Sequence, residues 1–470
     1  MTRSAIIMTG VLLALFFAGG CQSMPVQQRP FAEDGAEVLV YMEPFTQEAG
    51  RISFRLAGIA AVREDGAEFP LVLKFADLAR RDVMRQRLLA HGRVPAGRYT
   101  GFLFRIASAS LTTEDGNAAL LAPDAPVKRD HLFRIGRKRP AIVSLTLRPE
   151  GSVLNGYQFS PALLITTPSR PLLDLIGYVS VESENAILVL DKLRKSITGI
   201  IETGNAPRGM AIDRVRNRVY AALSGDDAVE VIDSIENRSL ARVRLLPGDR
   251  PQQVELASEG QVLLAVNTGS DTVSFIEANA LTEIKRVTVG KRPRSMVIDR
   301  SGRRAYVFNT LSNSISVVDI ANRAVIGTIA TGPEPVWGQF NRQGDQLYVV
   351  HADHPYLHVV DPASFTLLRR EFVGPGMRSL KVDTRNDLLY LGRKNDTALE
   401  VRDPMTFNVV EYIPAKGETV YQAIDDEHND LWLVIAEKDL LMTVNLINTA
   451  ETALIDIPGR PAWVTLSGER

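Results

Sequence analysis

The stretch AYVFNTLSNSISVVDIANRAVIGTIATGPEP, residues 305–335, decides the fold because it is one copy of a text that the chain repeats. It reads as short runs rich in Val, Ile, Tyr and Phe, cut by Asn, Ser, Gly and Pro, which is the pattern of strands and tight turns. The residues that close each SVVD-like run, Asp191, Asp233, Glu277, Asp319, Asp361, Asp403 and Asn445, stand 42, 44, 42, 42, 42 and 42 positions apart. Tyr178, Tyr220, Leu264, Tyr306, Tyr348, Tyr390 and Trp432 keep the same spacings, and Pro207, Pro251, Pro293, Pro335, Met377, Thr419 and Pro461 fall into the same register. Three registers that agree over seven copies mark an internal repeat whose period selects a propeller or a helical array. No copy carries an amphipathic helix of useful length, so each is expected to make four short strands. A lone sheet of that kind would leave both apolar faces wet, and seven can stack into a ring. The expected architecture is all-β, with a seven-bladed β-propeller over residues 170–470.

The repeat resembles the YVTN β-propeller family, whose signature Tyr-Val-x-Asn, turn, apolar run ending in Asp, then Gly-x-x-Pro is matched at Tyr306–Asn309, Asp319 and Gly332–Pro335. The resemblance spans about 300 residues and implies fold rather than activity, because unrelated functions share this scaffold. It also implies a chain phase in which the strand after Gly-x-x-Pro is the innermost of its blade. The propeller then begins on a second strand at Tyr178 and ends on an innermost one, PAWVTLS. The last strand is expected to complete the first blade and close the ring.

Residues 36–167 alternate in strand fashion and are expected to form a separate β-sandwich. One interruption, ADLARRDVMRQRLLAHG at 76–92, reads as a helix with Leu78, Val83, Met84, Leu88 and Leu89 near one side and Gly92 as its stop. The Pro95-Ala-Gly-Arg-Tyr-Thr turn gives this part a resemblance to prealbumin-like sandwich domains of bacterial lipoproteins. Ahead of it, residues 1–20 have a short basic start and an apolar run, as a secretory signal peptide does. Ala18-Gly19-Gly20-Cys21 resembles a lipoprotein processing site, which implies lipidation of Cys21 and a lipidated tether over 21–35. Gln22 after that cysteine favours the outer membrane of a bacterial envelope by the same resemblance. Cys21 is the only cysteine, so the mature chain can form no internal disulfide, thiol-zinc site or C-x-x-C-H haem attachment.

With 54 Lys and Arg against 55 Asp and Glu, no gross charge draws the chain to nucleic acid. Strand alternation puts the Gly-x-x-Pro loops at one end of the ring, where Arg208, Arg250, Arg292, Arg294, Arg378 and Arg460 are expected to converge with Trp337, Tyr421 and Trp463. Guanidinium groups beside aromatic rings suit carboxylates, phosphates, sugars or a partner's acidic loop. The same arginines could instead be solvated or paired with Asp249, Glu334 and Glu418. VVHADHPYLHVVD, residues 349–361, gathers His351, His354 and His358 around Asp353 on one hairpin of the fifth blade. These are expected to be polar surface histidines, with no metal and no cofactor. GDD at 225–227 and DDEHND at 425–430 read as solvated turns.

No G-x-S-x-G elbow, H-E-x-x-H helix or phosphate-binding loop is present, and no catalytic set assembles. The expected function is a non-catalytic envelope lipoprotein that binds a protein or glycan partner through one propeller face and touches the membrane only through its lipid. A lactonase-like hydrolase and a structural surface-coat component are the alternatives.

Overall fold

The computed structural model describes residues 35–257 and 260–469. The signal peptide, Cys21 and most of the tether lie outside the described residues. Among the described residues no helix is long and apolar enough to cross a membrane.

Residues 176–469 form seven four-stranded antiparallel sheets. Blade 4 shows why the repeat folds this way. Its two middle strands, Arg304–Asn309 and Ser314–Asp319, are buried almost throughout, whereas the outermost, Ala324–Ala330, faces solvent along most of its length. Middle strands are pressed between neighbouring blades on both faces, so they read as continuous apolar runs and not as alternations. Asn313 turns the hairpin between them at φ 53°, a left-handed conformation that Asn tolerates. Ring closure is as expected. Blade 1 has the order Ser196–Glu202, Ala186–Asp191, Ile176–Val181, Pro461–Leu466, so the last strand of the chain is its innermost strand. Buried Lys192 secures the end of that strand, with Nζ on the Ser467 carbonyl at 2.7 Å and on Asp425 at 3.2 Å.

The chain before the propeller is a β-rich, sandwich-like domain made of one ten-stranded sheet, whose two layers are joined by Glu68–Leu73, paired with both Arg87–Pro95 and Ile52–Arg63. One layer contains Gly35–Met42, Arg87–Pro95, Ala141–Arg148 and Ala162–Thr166; the other is built on the long strands Ile52–Arg63 and Gly97–Thr113. Val38, Val40, Leu89 and Leu145 of the first layer pack on Phe54, Ile59, Phe102 and Phe104 of the second. The helix expected over 76–92 is absent. Asp77–Leu78 is a short strand, a turn follows, and Arg87–Pro95 is a strand paired with Gly35–Met42. The reason is burial on both faces: Leu89 points into the sandwich core, while Leu88 points into the cluster shared with blades 1 and 7. Adjacent leucines that are both buried mimic a helical apolar stripe, and Met84, counted in that stripe, is 77% exposed.

Leu39, Tyr41, Leu88 and Ile142 carry the sandwich onto the propeller beside its seam. Arg85 and Arg87 reach the two carboxylate oxygens of Asp456 at 2.5 and 3.0 Å, and Tyr41 donates to the Asp456 carbonyl at 3.1 Å. Arg93 pairs with Glu202 at 3.1 Å. Docking is therefore on the outer rim, and both ends of the central channel are lined by propeller residues alone.

Candidate functional site: the central channel

The residue two places after the Pro-equivalent position points toward the ring axis. Around the ring it is Gly209, Gln253, Ser295, Trp337, Ser379, Tyr421 and Trp463. Three large rings are thus set against small or polar residues. Tyr421 and Trp463 stack at 3.8 Å between centroids, and Trp337 meets them edge-on at 5.5 and 5.4 Å. This aromatic cluster divides the channel, because all three rings line the spaces on both sides of it.

Above the cluster lies a mouth of about 180 Å³ lined by Arg208, Arg294, Arg378 and Arg460. Arg208 is held by Glu182 at 2.6 Å and Arg378 by Glu418 at 3.0 Å. Arg294 and Arg460 have no side-chain hydrogen bond or ion pair among the described residues. Arg294 is solvent-accessible but enclosed by protein; that enclosure, then Arg378, Arg208 and Arg292, holds its guanidinium below the usual arginine range, with Glu334 opposing. Four of the six expected arginines therefore converge, together with all three aromatic residues. Arg250 and Arg292 do not line the mouth: they occupy the turn position before the inner strand, at φ 49° and 53°, with exposed side chains. Asp249 is no partner for the mouth either, being buried against Arg286 at 2.7 Å.

Below the cluster is a chamber of about 440 Å³ that the sequence did not reveal. Glu255, Gln339, Lys381 and Thr465 all come from one repeat position, four after the Pro-equivalent residue, and Glu469 enters from the chain end. Lys381 is buried and bonds Glu469 at 2.7 Å, while Gln253 donates to Glu255 at 2.8 Å. Burial pushes the Glu255 carboxyl up to about 7; Glu469 adds to this, whereas Gln253 and Lys381 oppose it. Burial likewise raises Tyr421 far above the ordinary phenol range, assisted by Glu469 and Glu255. A mixed-charge inner strand in two of seven copies was the only sequence signal for this chamber. Its meaning depends on contacts between blades 3 and 6 and the tail.

The raised carboxyl sets a pH dependence. Below the ordinary glutamate range Glu255 is protonated in both folded and unfolded chains. Between there and about 7 the unfolded chain ionises first, so stability falls as pH rises, by at most roughly 3 kcal/mol. Glu255→Gln should flatten this decline, read as the difference in thermal midpoint between pH 5 and 8. A difference as large as in the wild type would contradict the assignment.

The opposite end opens into a wider vestibule with Arg214, Arg300, Arg342 and Arg385 at its rim. These arginines brace turns. Arg300 donates to the Arg342 carbonyl at 2.9 Å, Arg342 to the Arg385 carbonyl at 3.2 Å, and Arg385 to the Asp426 carbonyl. The acidic turns serve the fold too: Asp425 takes Lys192 and His428, and Asp227 accepts the Gly248 and Arg250 amides.

The three clustered histidines are not the surface group expected. His351 and His358 are fully buried, and only His354 is partly exposed. Burial and the neighbouring imidazoles hold His351 down to about 3, and burial, then His354 and Arg370, hold His358 to about 4, so both rings are neutral near pH 7. They lie in blade 5 outside the channel.

The YNCE-like beta-propeller family model matches residues 180–384. Comparison with curated protein sequences finds no match. Among solved structures, a functionally unknown protein from Desulfotomaculum acetoxidans DSM 771 is 13% identical at TM-score 0.53, covering 63% of this chain and 98% of that one. The dihydro-heme d1 dehydrogenase NirN, solved in complex with DHE, is 13% identical at TM-score 0.51, covering 64% and 78%. Kuenenia stuttgartiensis hydrazine synthase is 14% identical at TM-score 0.49, covering 55% and 88%. As 1612 solved chains match, the likeness establishes the propeller and selects no activity.

Proposed function

We propose that this protein is a non-catalytic binding scaffold of the bacterial envelope, lipidated at Cys21 and held at the outer membrane. It takes an acidic loop of a protein partner, or an acidic glycan, at the arginine end of its channel. The observation that carries this reading is Arg294, a guanidinium without a direct ion pair among the described residues, crowded by Arg208, Arg378 and Arg292 against a single nearby carboxylate, Glu334, above a Trp and Tyr floor. Like charges held together raise the energy of the empty mouth, and an arriving carboxylate relieves it; the aromatic floor offers apolar contact to a sugar ring or peptide stem. The sandwich docks away from the mouth, as a spacer would.

The test uses oligogalacturonate and a polyglutamate peptide as probes, with the fluorescence of the channel tryptophans as readout. Mild crosslinking in membranes tests for a protein partner alongside. Arg294→Ala should keep the wild-type melting temperature and weaken binding about 10- to 100-fold, the loss of one charge-assisted hydrogen-bonding group. Equal binding by the variant, or no uptake of either probe with no crosslinked partner, would overturn the proposal.

A hydrolase is the second reading, favoured by Glu255, whose carboxyl at about 7 is suited to proton transfer near neutral pH. It requires turnover of a lactone or ester that Glu255→Gln abolishes.

A further inference from the structure

Blade 5 departs from blades 3 and 4 at one buried polar pair. In blades 3 and 4, Asn267 and Asn309 end the second strand and donate through Nδ2 to Ser274 and Ser316 on the third, at 2.8 and 3.0 Å. The same two positions in blade 5 hold His351 and His358, with ring centroids 4.5 Å apart. His351 Nδ1 lies 3.1 Å from the Tyr356 carbonyl oxygen, which can only accept, so this nitrogen carries the proton and Nε2 is left with a lone pair. His358 Nδ1 accepts the Gly332 amide at 3.3 Å, as Ser316 Oγ accepts the Gly290 amide at 3.2 Å. The Nε2 atoms of both rings are buried and have no hydrogen-bond partner among the described residues. In the asparagine and serine pairs the amide donates to the hydroxyl and only the amide Oδ1 is left without a partner; in the imidazole pair neither ring donates to the other, and two metal-competent nitrogens are left instead.

The tip of the same hairpin supplies a third ring. Pro355 stands where blade 4 has left-handed Asn313, a conformation that proline cannot adopt. The ladder between the two strands accordingly stops at Val349 and His358, whereas in blade 4 it runs on to Asn309 and Ser314. The opened tip folds His354 back over Gly332, where an added Cβ would come within 3.0 Å of its Nδ1. Its ring lies 5.3 and 5.5 Å from those of His351 and His358, and one nitrogen from each of the three lies within 4.8 Å of the others.

We propose that His351, His354 and His358 form a three-imidazole site for a divalent transition ion of the zinc class, with its fourth position open to solvent. Nitrogen donors alone exclude the hard, oxygen-seeking cations and suit zinc, copper, nickel or cobalt. Three nitrogens about 2.0–2.1 Å from one tetrahedral ion stand roughly 3.3 Å apart. His354, the one ring with solvent access, can rotate to close the remaining distance. The Nδ1–H bond from His351 to a backbone carbonyl is the orienting contact that metal-bound imidazoles commonly make. Binding through His358 Nε2 shifts that ring's proton to Nδ1 and gives up one long hydrogen bond from Gly332. Asp353 is exposed and stands outside the cluster.

The full chain, made without an affinity histidine tag and stripped by chelator, is titrated with Co²⁺ and then chased with Zn²⁺. One ion per chain, with tetrahedral visible absorption displaced by Zn²⁺, is expected. His354→Ala should weaken uptake at least tenfold. The double variant His351→Asn, His358→Ser installs the pair that blades 3 and 4 already use, so it should fold and melt like the stripped wild type while losing uptake. Absence of saturable 1:1 uptake by the wild type, or uptake undiminished in both folded variants, would overturn the site.

Discussion

A chain lacking residues 461–470 should fail to reach a cooperative fold. The deletion removes the innermost strand of blade 1, with Trp463, Val464 and Leu466, which are all buried. At about 1.5–3 kcal/mol for each large apolar side chain, the loss is roughly 5–9 kcal/mol before any ladder hydrogen bonds are counted. That rivals the entire stability of a typical domain, about 5–15 kcal/mol. It also bares the edge of Ile176–Val181 and removes the Ser467 carbonyl that accepts a hydrogen bond from buried Lys192. Thermal unfolding and size-exclusion chromatography read the outcome. A truncated protein that stays monodisperse with an unchanged melting temperature would refute closure by the tail.

Lys381→Met should cost about 3–5 kcal/mol at pH 8, because the lysine is buried and its removal strands Glu469 and Glu255 in the chamber. Lys381 lowers the Glu255 pKa, so its loss raises that carboxyl further, and Glu469 loses its cation at the same time. Glu255 should then be protonated at pH 5, where the deficit shrinks. Melting temperatures of wild type and variant should converge as pH falls. A gap that is constant with pH would mean that Lys381 acts through packing alone.

The ring was legible because its signal is redundant. Tyr178, Asp191 and Pro207 each begin a series that repeats the same spacings, 42 with one step of 44, and the strand-rich text inside each copy then selects a ring of sheets over a helical array. The closing strand followed from chain phase. The arginine mouth was legible in part, since Gly-x-x-Pro loops lie at one end in any such ring. What the loop text could not separate is Arg294, on the inner strand, from Arg292, two residues earlier on an exposed turn. The chamber was hidden for a different reason. Glu255, Lys381 and Glu469 are far apart in sequence and meet only across the axis, so no local pattern announces them. The 76–92 helix and the surface histidines failed alike, because local text does not say how many faces of a strand the tertiary structure will cover. Leu88 and Leu89 are buried on opposite faces, and His351 and His358 occupy positions that blades 3 and 4 give to Asn and Ser.

The seam also imposes an order on maturation. Blade 1 holds three strands until Pro461–Leu466 is available, so a polypeptide emerging from its N-terminus cannot lock the ring before that strand is made. The sandwich leans on that same seam, with Asp456 of blade 7 gripping Arg85 and Arg87. Its docking is therefore tied to closure of the ring, and a chain stalled before residue 461 would present two loosely joined halves.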